Sequence, residues 1–351
     1  MISFNKLESM NEAIKKKNLG FIYNYMEDRD NGILYPFSSF MMKYANKAGL
    51  DFCITTDINH RSGIIHDDKL IFMSYGTFDR LCKLANLMVK SGVLTGKKKD
   101  IEYYNLHLID NPYVGFNNNE HDENLSDSEL NLFLFLLHGF LVFIISHEIG
   151  HYVNKHGLRM KNNKADNVFD DITGHKYIKR EELIASHARE LVADNYALNK
   201  LKIHVKSAFH NEFFDFNHFL EWFKEDESDI FLSMLLITCY FKLSDGSNPC
   251  EHFNSTHPST AARVHFIYAC HMEILDNDVK MNKFSLLIKK VMLITNLIFS
   301  NTENTTELSW LEETSSPAML DWFNEIYKEY PNWKCWFCTL SILIETSIML
   351  L

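Results

Sequence analysis

Apolar residues recur at three- and four-residue intervals along most of the chain, and this spacing predicts a mainly helical protein. Before about residue 125, short strand-like runs alternate with turns: residues 67–76 form a strand candidate, and residues 77–90 form a helix behind it. Long helices are expected from Ser126 past His151 and over residues 180–200. Further helical patterns occupy residues 211–224, 229–243, 259–274, 282–300 and 317–328. With a small sheet near the strand candidate, the expected fold class is α+β, mainly α.

The most apolar stretch, residues 132–145, contains 14 residues and is interrupted by His138 and Gly139. A membrane-spanning helix needs about 20 apolar residues, and this stretch runs directly into a polar motif. We therefore expect a buried core helix and no membrane span. A second apolar stretch, residues 339–351, contains Glu345 and is expected to form a helix docked on the protein.

Polar signals indicate where the central helix begins and ends. Ser126 and Glu129 have the spacing of a capping box, which predicts a helix start, and Gly157 is typical of a helix end. The polar residues 158–178 are expected to form an exposed loop. The predicted units are an N-terminal accessory segment, a core domain and a C-terminal helical segment packed on that core: residues 1–65, 66–275 and 276–351.

Composition and charge narrow the classes of function. The 351 residues include 35 basic and 46 acidic side chains, a net charge of −11, so the overall charge gives no reason to bind nucleic acid or an anionic membrane. A local basic patch is still compatible with that total. Seven cysteines, an odd number, indicate reduced thiols, and the N-terminus lacks the apolar core of a signal peptide. These features predict a cytoplasmic protein, with the CWFC pair at 335–338 interpreted as buried thiols.

The pattern HEIGH is the central chemical signal. On a helix, His147 and His151 are four residues apart and share a face, so both imidazoles can reach one metal ion. Zinc prefers nitrogen ligands in this arrangement, and a catalytic zinc site keeps one position for water. Glu148 follows the first histidine and can accept a proton from that water as a general base.

A third ligand is expected from the helix over residues 180–200. Glu190 and Asp194 are four residues apart there, so Glu190 can complete a two-histidine, one-carboxylate site while Asp194 orients a ligand histidine. The neighbouring residues are apolar, and buried carboxylates need a metal or a cation. His187, one turn before Glu190, is the alternative third ligand.

A further candidate element is STHPSTAARVHFI. It contains His257 and Arg263, and Pro258 is well tolerated at the first turn of a helix. A histidine and an arginine beside a zinc site can donate hydrogen bonds to a developing oxyanion or hold the substrate backbone. Alone, the segment is more typical of a capped surface helix.

The order HExxH, ExxAD and THPxxxxR resembles the gluzincin metallopeptidases of the HtpX and CAAX-prenyl-endopeptidase type, over residues 68–272. The resemblance implies a zincin-like catalytic core with an active-site helix bearing HExxH, and Zn2+ as the cofactor. It favours Glu190 over His187 as the third ligand. The implied roles are zinc ligation by His147, His151 and Glu190, general base catalysis by Glu148, support of a ligand by Asp194, and lining of the active site by His257 and Arg263.

The resembling enzymes carry several membrane spans, whereas this chain shows none of adequate length, so their membrane substrates are not carried over. A soluble enzyme of this organisation is also similar to the Lit-type phage-exclusion peptidases, cytosolic bacterial proteases that cleave a translation factor. The expected function is therefore a soluble zinc endopeptidase acting on a protein or peptide, with no nucleic-acid partner.

Two alternatives stay open. One is a non-catalytic protein in which zinc only holds helices together, which would ordinarily require four protein ligands. The other is a latent protease of a phage-defence or toxin system, triggered by a host or phage protein that residues 1–65 or 275–351 would sense. Among the remaining histidines, His138 is expected to be a hydrogen-bonded core residue, and nothing selects His156 or His175 for a role.

Overall fold

The computed structural model describes residues 4–23, 34–96, 105–106, 125–157, 179–210, 228–244, 252–302 and 309–334. Within these residues the protein is mainly helical with one small sheet, as the sequence predicts. The elements in chain order are α1 (Phe4–Lys16), α2 (Leu34–Lys47), β1 (Asp51–Thr55), β2 (Ser62–Ile65), β3 (Leu70–Ser74), α3 (Tyr75–Lys90), α4 (Asp127–Val153), α5 (Arg180–His210), α6 (Ser228–Leu243), α7 (Thr260–Glu273), α8 (Asp278–Phe299), α9 (Ser309–Glu312) and α10 (Pro317–Trp333).

The described residues form a sheet of three strands in the order β1-β3-β2. Strand β3 pairs in parallel with β1 and antiparallel with β2, and all five of its residues are buried. This strand is the one predicted over residues 67–76. It passes directly into α3, where the hydroxyl of Ser74 accepts a hydrogen bond from the backbone N–H of Thr77 at 3.0 Å. Gly76 is required there because a Cβ atom would overlap the carbonyl oxygen of Ile58.

Helix α4 lies at the centre of the main apolar core. It begins after Ser126, as predicted, and the backbone N–H of Ser126 donates to the Glu129 carboxylate at 2.9 Å. The helix ends at Val153, next to the segment NKHG near which its end was predicted, but the stop is not Gly157: Lys155 already adopts a left-handed conformation, with φ of 58°. Gly157 has a different role from the predicted one: a Cβ atom at this position would overlap the imidazole of His66.

The 27 residues of α4 make it long enough to cross a membrane, and among the described residues it is the one helix that meets this criterion by length and composition. Its length exceeds that of the 14-residue apolar run inside it. In its most apolar 18-residue window, however, 89% of the residues are buried by the protein itself. Such burial agrees with the expected core helix, since the core helix of a globular protein passes the same length and composition test.

Helix α5 packs along α4, and a glycine sets how closely the two helices approach. A Cβ atom at Gly150 would lie 3.0 Å from the Cα atom of Ala193 and 3.2 Å from its carbonyl oxygen. These distances are tighter than ordinary van der Waals contact, so the small residues on each side permit the close approach. As a result, the polar residues of the two helices face each other across a short distance.

Helices α6 and α7 follow the predicted ranges 229–243 and 259–274 closely, and α10 extends five residues beyond its predicted end at 328. Helix α5 continues ten residues beyond 200, whereas the helix predicted over 211–224 lies outside the described residues. Helices α1 and α2 were not predicted: they lie in the part of the chain where short strand-like runs and turns were expected. Cys53, Cys82, Cys239 and Cys270 are free thiols, in agreement with the prediction, and the CWFC pair lies outside the described residues.

One apolar core includes buried residues from α2, the sheet and the helices α3 to α8, from Leu34 to Phe299. A second cluster joins α5 and α7 to α10 around the fully buried Trp322. The C-terminal helix α10 therefore packs against α5, the helix that carries Glu190. The predicted domain limits at residues 65 and 275 stay a prediction.

Candidate metal centre

Two neighbouring helices bring the predicted ligands together. His147 and His151 lie one turn apart on α4, and Glu190 and Asp194 lie one turn apart on α5. Residues four apart share a helix face, so each pair presents its polar groups in one direction. The close contact between Gly150 and the helix opposite places the two faces side by side.

Three donor atoms converge at this position. The Nε2 atoms of His147 and His151 are 3.0 Å apart, and they lie 3.4 Å and 3.3 Å from the two carboxylate oxygens of Glu190. All three side chains are buried, and their donor atoms lie within 4.8 Å of one another. The described residues therefore contain a buried His-His-Glu group that could hold a metal ion.

The bonding of Glu190 fits a metal ligand. Its Oε1 atom is fully buried and has no hydrogen-bond partner among the described residues. A buried carboxylate oxygen without a donor is costly, and a cation at that position removes the cost. Burial favours the neutral form of Glu190, but interactions with the neighbouring imidazoles, first among them that of His257, outweigh it and hold the pKa of Glu190 well below its usual value.

Hydrogen bonds from the far side of each imidazole fix which nitrogen faces the site. The Nδ1 atom of His147 donates to the Asp194 carboxylate at 2.9 Å, so its Nε2 atom is the one directed at Glu190. Asp194 is itself held by Arg263, whose Nε and terminal nitrogen donate to its two oxygens at 2.8 Å and 2.6 Å. This two-point contact between arginine and carboxylate fixes both side chains.

His151 is oriented by a residue that the sequence did not select. The Nε2 atom of His156 lies 3.2 Å from the carbonyl oxygen of Trp333, which can only accept, so that nitrogen carries the proton. In a neutral ring, the Nδ1 atom of His156 is then an acceptor, and the Nδ1 atom of His151, 2.9 Å away, donates to it. The lone pair of His151 consequently resides on Nε2 and is directed at the site.

Burial and the fold explain why the role of His156 was missed. It follows His151 by five residues, a spacing that does not place two side chains on one helix face. The two rings meet because α4 has already ended at Val153 and the chain turns back. His156 is completely buried, and burial is the main reason that its pKa lies well below the ordinary value, so the ring is neutral as the hydrogen bonds require.

The electrostatics of the cluster differ between its members. Burial disfavours charge on His147, but hydrogen bonds and attraction from Asp194 and Glu190 outweigh it and raise its pKa to about 10. Burial lowers the pKa of His151 to about 4, and Glu190 only partly offsets this effect. The imidazole of His147 therefore holds a proton and is positively charged at ordinary pH, whereas the imidazole of His151 is neutral.

Glu148, the predicted base, is 5% exposed and lies beside the three ligands on α4. Burial raises the pKa of its carboxyl group to about 7, with repulsion from Glu190 adding to the shift and the positive groups His147, Arg263 and His257 opposing it. A carboxyl group with a pKa near 7 can both accept and return a proton at neutral pH.

His257 and Arg263 reach the same centre from another part of the chain. The Nε2 atom of His257 lies 3.5 Å from Glu190 Oε1, and its side chain is 23% exposed, more than those of the three ligands. Arg263 is more enclosed: its guanidinium contacts Asp194 and lies 3.6 Å from Glu190 Oε2, over the ring of Phe241. The structure therefore brings all seven predicted residues together, with Arg263 engaged by Asp194 and His257 more accessible.

His187, the alternative ligand, is committed elsewhere. Its Nδ1 atom accepts a hydrogen bond from the indole N–H of Trp322 at 3.0 Å, and its Nε2 atom donates to the carbonyl oxygen of Ser255 at 2.9 Å. Both ring nitrogens are thus occupied, which leaves Glu190 as the third donor. His187 instead anchors the loop that carries His257.

The other histidines follow their predicted placement where the structure describes them. The Nδ1 atom of His138 lies 2.8 Å from the carbonyl oxygen of Leu134, so this histidine is a hydrogen-bonded core residue. His175 lies outside the described residues.

Comparison of the chain with protein-family models, with curated proteins and with solved structures finds no match. The resemblance to gluzincins consequently depends on the three sequence motifs alone.

Proposed function

We propose that the protein is a zinc-dependent endopeptidase of the gluzincin type. The observation that carries the proposal is the convergence of two imidazole nitrogens and one carboxylate in a buried cluster, with Glu148 next to the first ligand. Two histidines and a glutamate are a ligand set that catalytic zinc sites use, and a structural site would ordinarily use four protein ligands. The cluster found among the described residues has three.

Zinc suits these donors, because imidazole nitrogen and carboxylate oxygen at a compact site match its preferences. His147, His151 and Glu190 would hold the ion, with Asp194 and His156 orienting the two imidazoles. When bound, the ion supplies Lewis-acid polarisation of a carbonyl group and lowers the pKa of water.

The remaining chemistry belongs to the side chains of this chain. Glu148 removes a proton from the attacking water and returns it to the leaving amine, for which a pKa near 7 is well suited. His257 is the more exposed of the two candidates, and in this proposal it donates a hydrogen bond to the oxyanion that develops on the substrate carbonyl. Arg263 is bound to Asp194, so its role is to hold that carboxylate against His147.

The test compares two variants of the full chain. Glu148→Gln should bind zinc as the unmodified protein does and lose peptide hydrolysis, because an amide cannot accept the proton. Glu190→Gln should lose zinc affinity as well as hydrolysis. Undiminished turnover by Glu148→Gln would show that the assigned base is wrong, and full zinc binding by Glu190→Gln would show that the ligand set is wrong.

A latent form of the same protease is the second candidate, favoured by the burial of the site. The three proposed ligands and Glu148 are each at most 9% exposed, so little of the site is open to a peptide substrate. A latent protease would be inactive alone and active after addition of a host or phage lysate. Equal activity with and without lysate would identify a constitutive protease instead.

A further inference from the structure

Helix α8 presents an apolar stripe to solvent. One side of the helix is buried against α6, whereas the opposite side exposes four large aliphatic side chains, with exposed fractions between 42% and 65%. These are Val279, Leu286, Leu293 and Leu297. Exposed apolar side chains are ordinary when single, but a row of them along one helix marks an interaction surface.

The stripe is straight and is bordered by positive charge. At roughly 100° per residue, the four side chains project within about 40° of one another around the helix axis. Lys283 and Lys290 lie on one side of the stripe and Lys289 lies on the other, and all three are exposed. None of these lysines has an acidic partner among the described residues, whereas Lys280, nearer the helix start, is paired with Asp276 at 2.7 Å.

This local charge is opposite to that of the whole chain, which carries a net charge of −11. A row of aliphatic residues with lysines on both sides suits a surface that has an apolar layer beneath a layer of negatively charged groups. Lysine stems can lie along the apolar region while their ammonium groups reach the anionic headgroups.

We propose that the exposed side of α8, formed by these four aliphatic residues and three lysines, docks the protein on an anionic lipid surface. The helix would lie in the plane of the membrane interface and would not cross it. The proposal is independent of the metal centre, because α8 contributes none of the ligands or their hydrogen-bond partners.

A partner helix fits this face less well. Helix pairing of the coiled-coil kind needs apolar residues at alternating spacings of three and four. Here Val279, Leu286 and Leu293 are seven apart. The seam would be completed either three residues after each, at Asn282, Lys289 and Asn296, or four residues after each, at Lys283, Lys290 and Leu297, so both registers contain lysine. A partner helix would have to bury lysine in either register, whereas a lipid interface leaves its charge in water.

The experiment measures binding of the full chain to vesicles of phosphatidylcholine with and without phosphatidylserine. We expect binding only to the vesicles that contain phosphatidylserine, and we expect salt to weaken it because surface charges are screened. Replacing Lys283, Lys289 and Lys290 with glutamine should reduce the partition coefficient by about a hundredfold, because each lysine near the surface raises binding by roughly fivefold and the three contributions multiply. The matched control replaces three exposed lysines elsewhere with glutamine and should change little: Lys43, Lys47 and Lys328.

A second variant tests the apolar stripe. Leu286→Gln with Leu293→Gln should lower binding about tenfold or more, since less apolar surface leaves water. Its control replaces two exposed leucines outside α8, Leu130 and Leu320, in the same way.

Several results would overturn the proposal. These are absence of binding to phosphatidylserine vesicles, equal binding to both kinds of vesicle, and unchanged binding by either α8 variant. A further contradicting result could come from size-exclusion chromatography without lipid. If the protein is a dimer there and the leucine variant is a monomer, this face binds a second copy of the chain instead of lipid.

Discussion

Replacement of His156 by alanine tests the hydrogen-bond chain behind the metal centre. The imidazole of His156 accepts from His151 Nδ1 at 2.9 Å and donates to the Trp333 carbonyl oxygen at 3.2 Å, in a completely buried position. Alanine can do neither. His151 then either keeps its orientation without the acceptor that His156 supplied or turns away from the orientation that directs Nε2 at the site.

The expected magnitude follows from the difference between these two states: the free protein can adopt the second, whereas zinc binding must hold His151 in the first. An unsatisfied buried donor costs about 1–3 kcal/mol, and each 1.4 kcal/mol corresponds to a factor of ten, so zinc affinity should fall by about 5- to 150-fold. Loss of an orienting partner of a metal-bound histidine typically costs about 10- to 100-fold, which lies within this range. The same substitution should lower the melting temperature, because the hydrogen bond from His156 to the carbonyl oxygen of Trp333 is lost as well.

Zinc affinity is measured by competition with a chromophoric chelator, with circular dichroism as the check on folding. His156→Gln is the informative partner variant, since one amide offers both an acceptor and a donor and should restore most of the affinity. His204→Ala controls for the loss of a largely buried imidazole, because residue 204 lies about 21 Å along α5 from Glu190.

Two results would refute this reasoning. A folded His156→Ala protein that binds zinc as tightly as the unmodified chain would show that His151 needs no acceptor. A glutamine variant as weak as the alanine variant would show that the shape of the ring, and not its hydrogen bonds, determines the affinity.

Two further predictions concern helix spacing and protons. Gly150→Ala should push α4 from Ala193 and so reduce both stability, by up to about 2 kcal/mol after the gain in helix propensity, and zinc affinity. Gly139→Ala is the control, because the close atom there is a terminal methyl group of Leu236, which can move, so zinc affinity should stay unchanged; equal affinities in titrations of both variants would contradict this prediction. Because the pKa of His147 is about 10 and that of His151 about 4, zinc must displace one proton at neutral pH. Raising the pH removes that competing proton, so the zinc dissociation constant in metal-buffered titrations should fall about tenfold per pH unit between about pH 6 and 8.5, and a flat profile would refute the assigned protonation.

The local parts of this structure were predictable because they depend on neighbouring residues. The capping box at Ser126 fixes the start of α4, and apolar spacing locates α6, α7 and the strand β3. Helical periodicity also places His147 beside His151 and Glu190 beside Asp194. Strands β1 and β2 were not located individually, since short runs acquire their structure from pairing with β3.

The choice of third ligand shows where local reasoning ended. In the sequence, His187 and Glu190 are both on α5 and both suited to zinc. The difference between them is made by residues far along the chain: Trp322 and Ser255 occupy the two nitrogens of His187. Sequence spacing contains no information about such contacts, because helix packing determines which side chains meet.

The sequence by itself determined which side chains share a helix face, and therefore that two imidazoles could act as a pair and that a carboxylate could join them. The tertiary structure decided that α4 and α5 approach closely enough at Gly150 for the three donors to meet, and that His156 and Trp333 orient His151. The physical reason is one of range: periodicity follows from the geometry of a single helix, whereas the direction of a lone pair depends on hydrogen bonds between residues that only folding brings together.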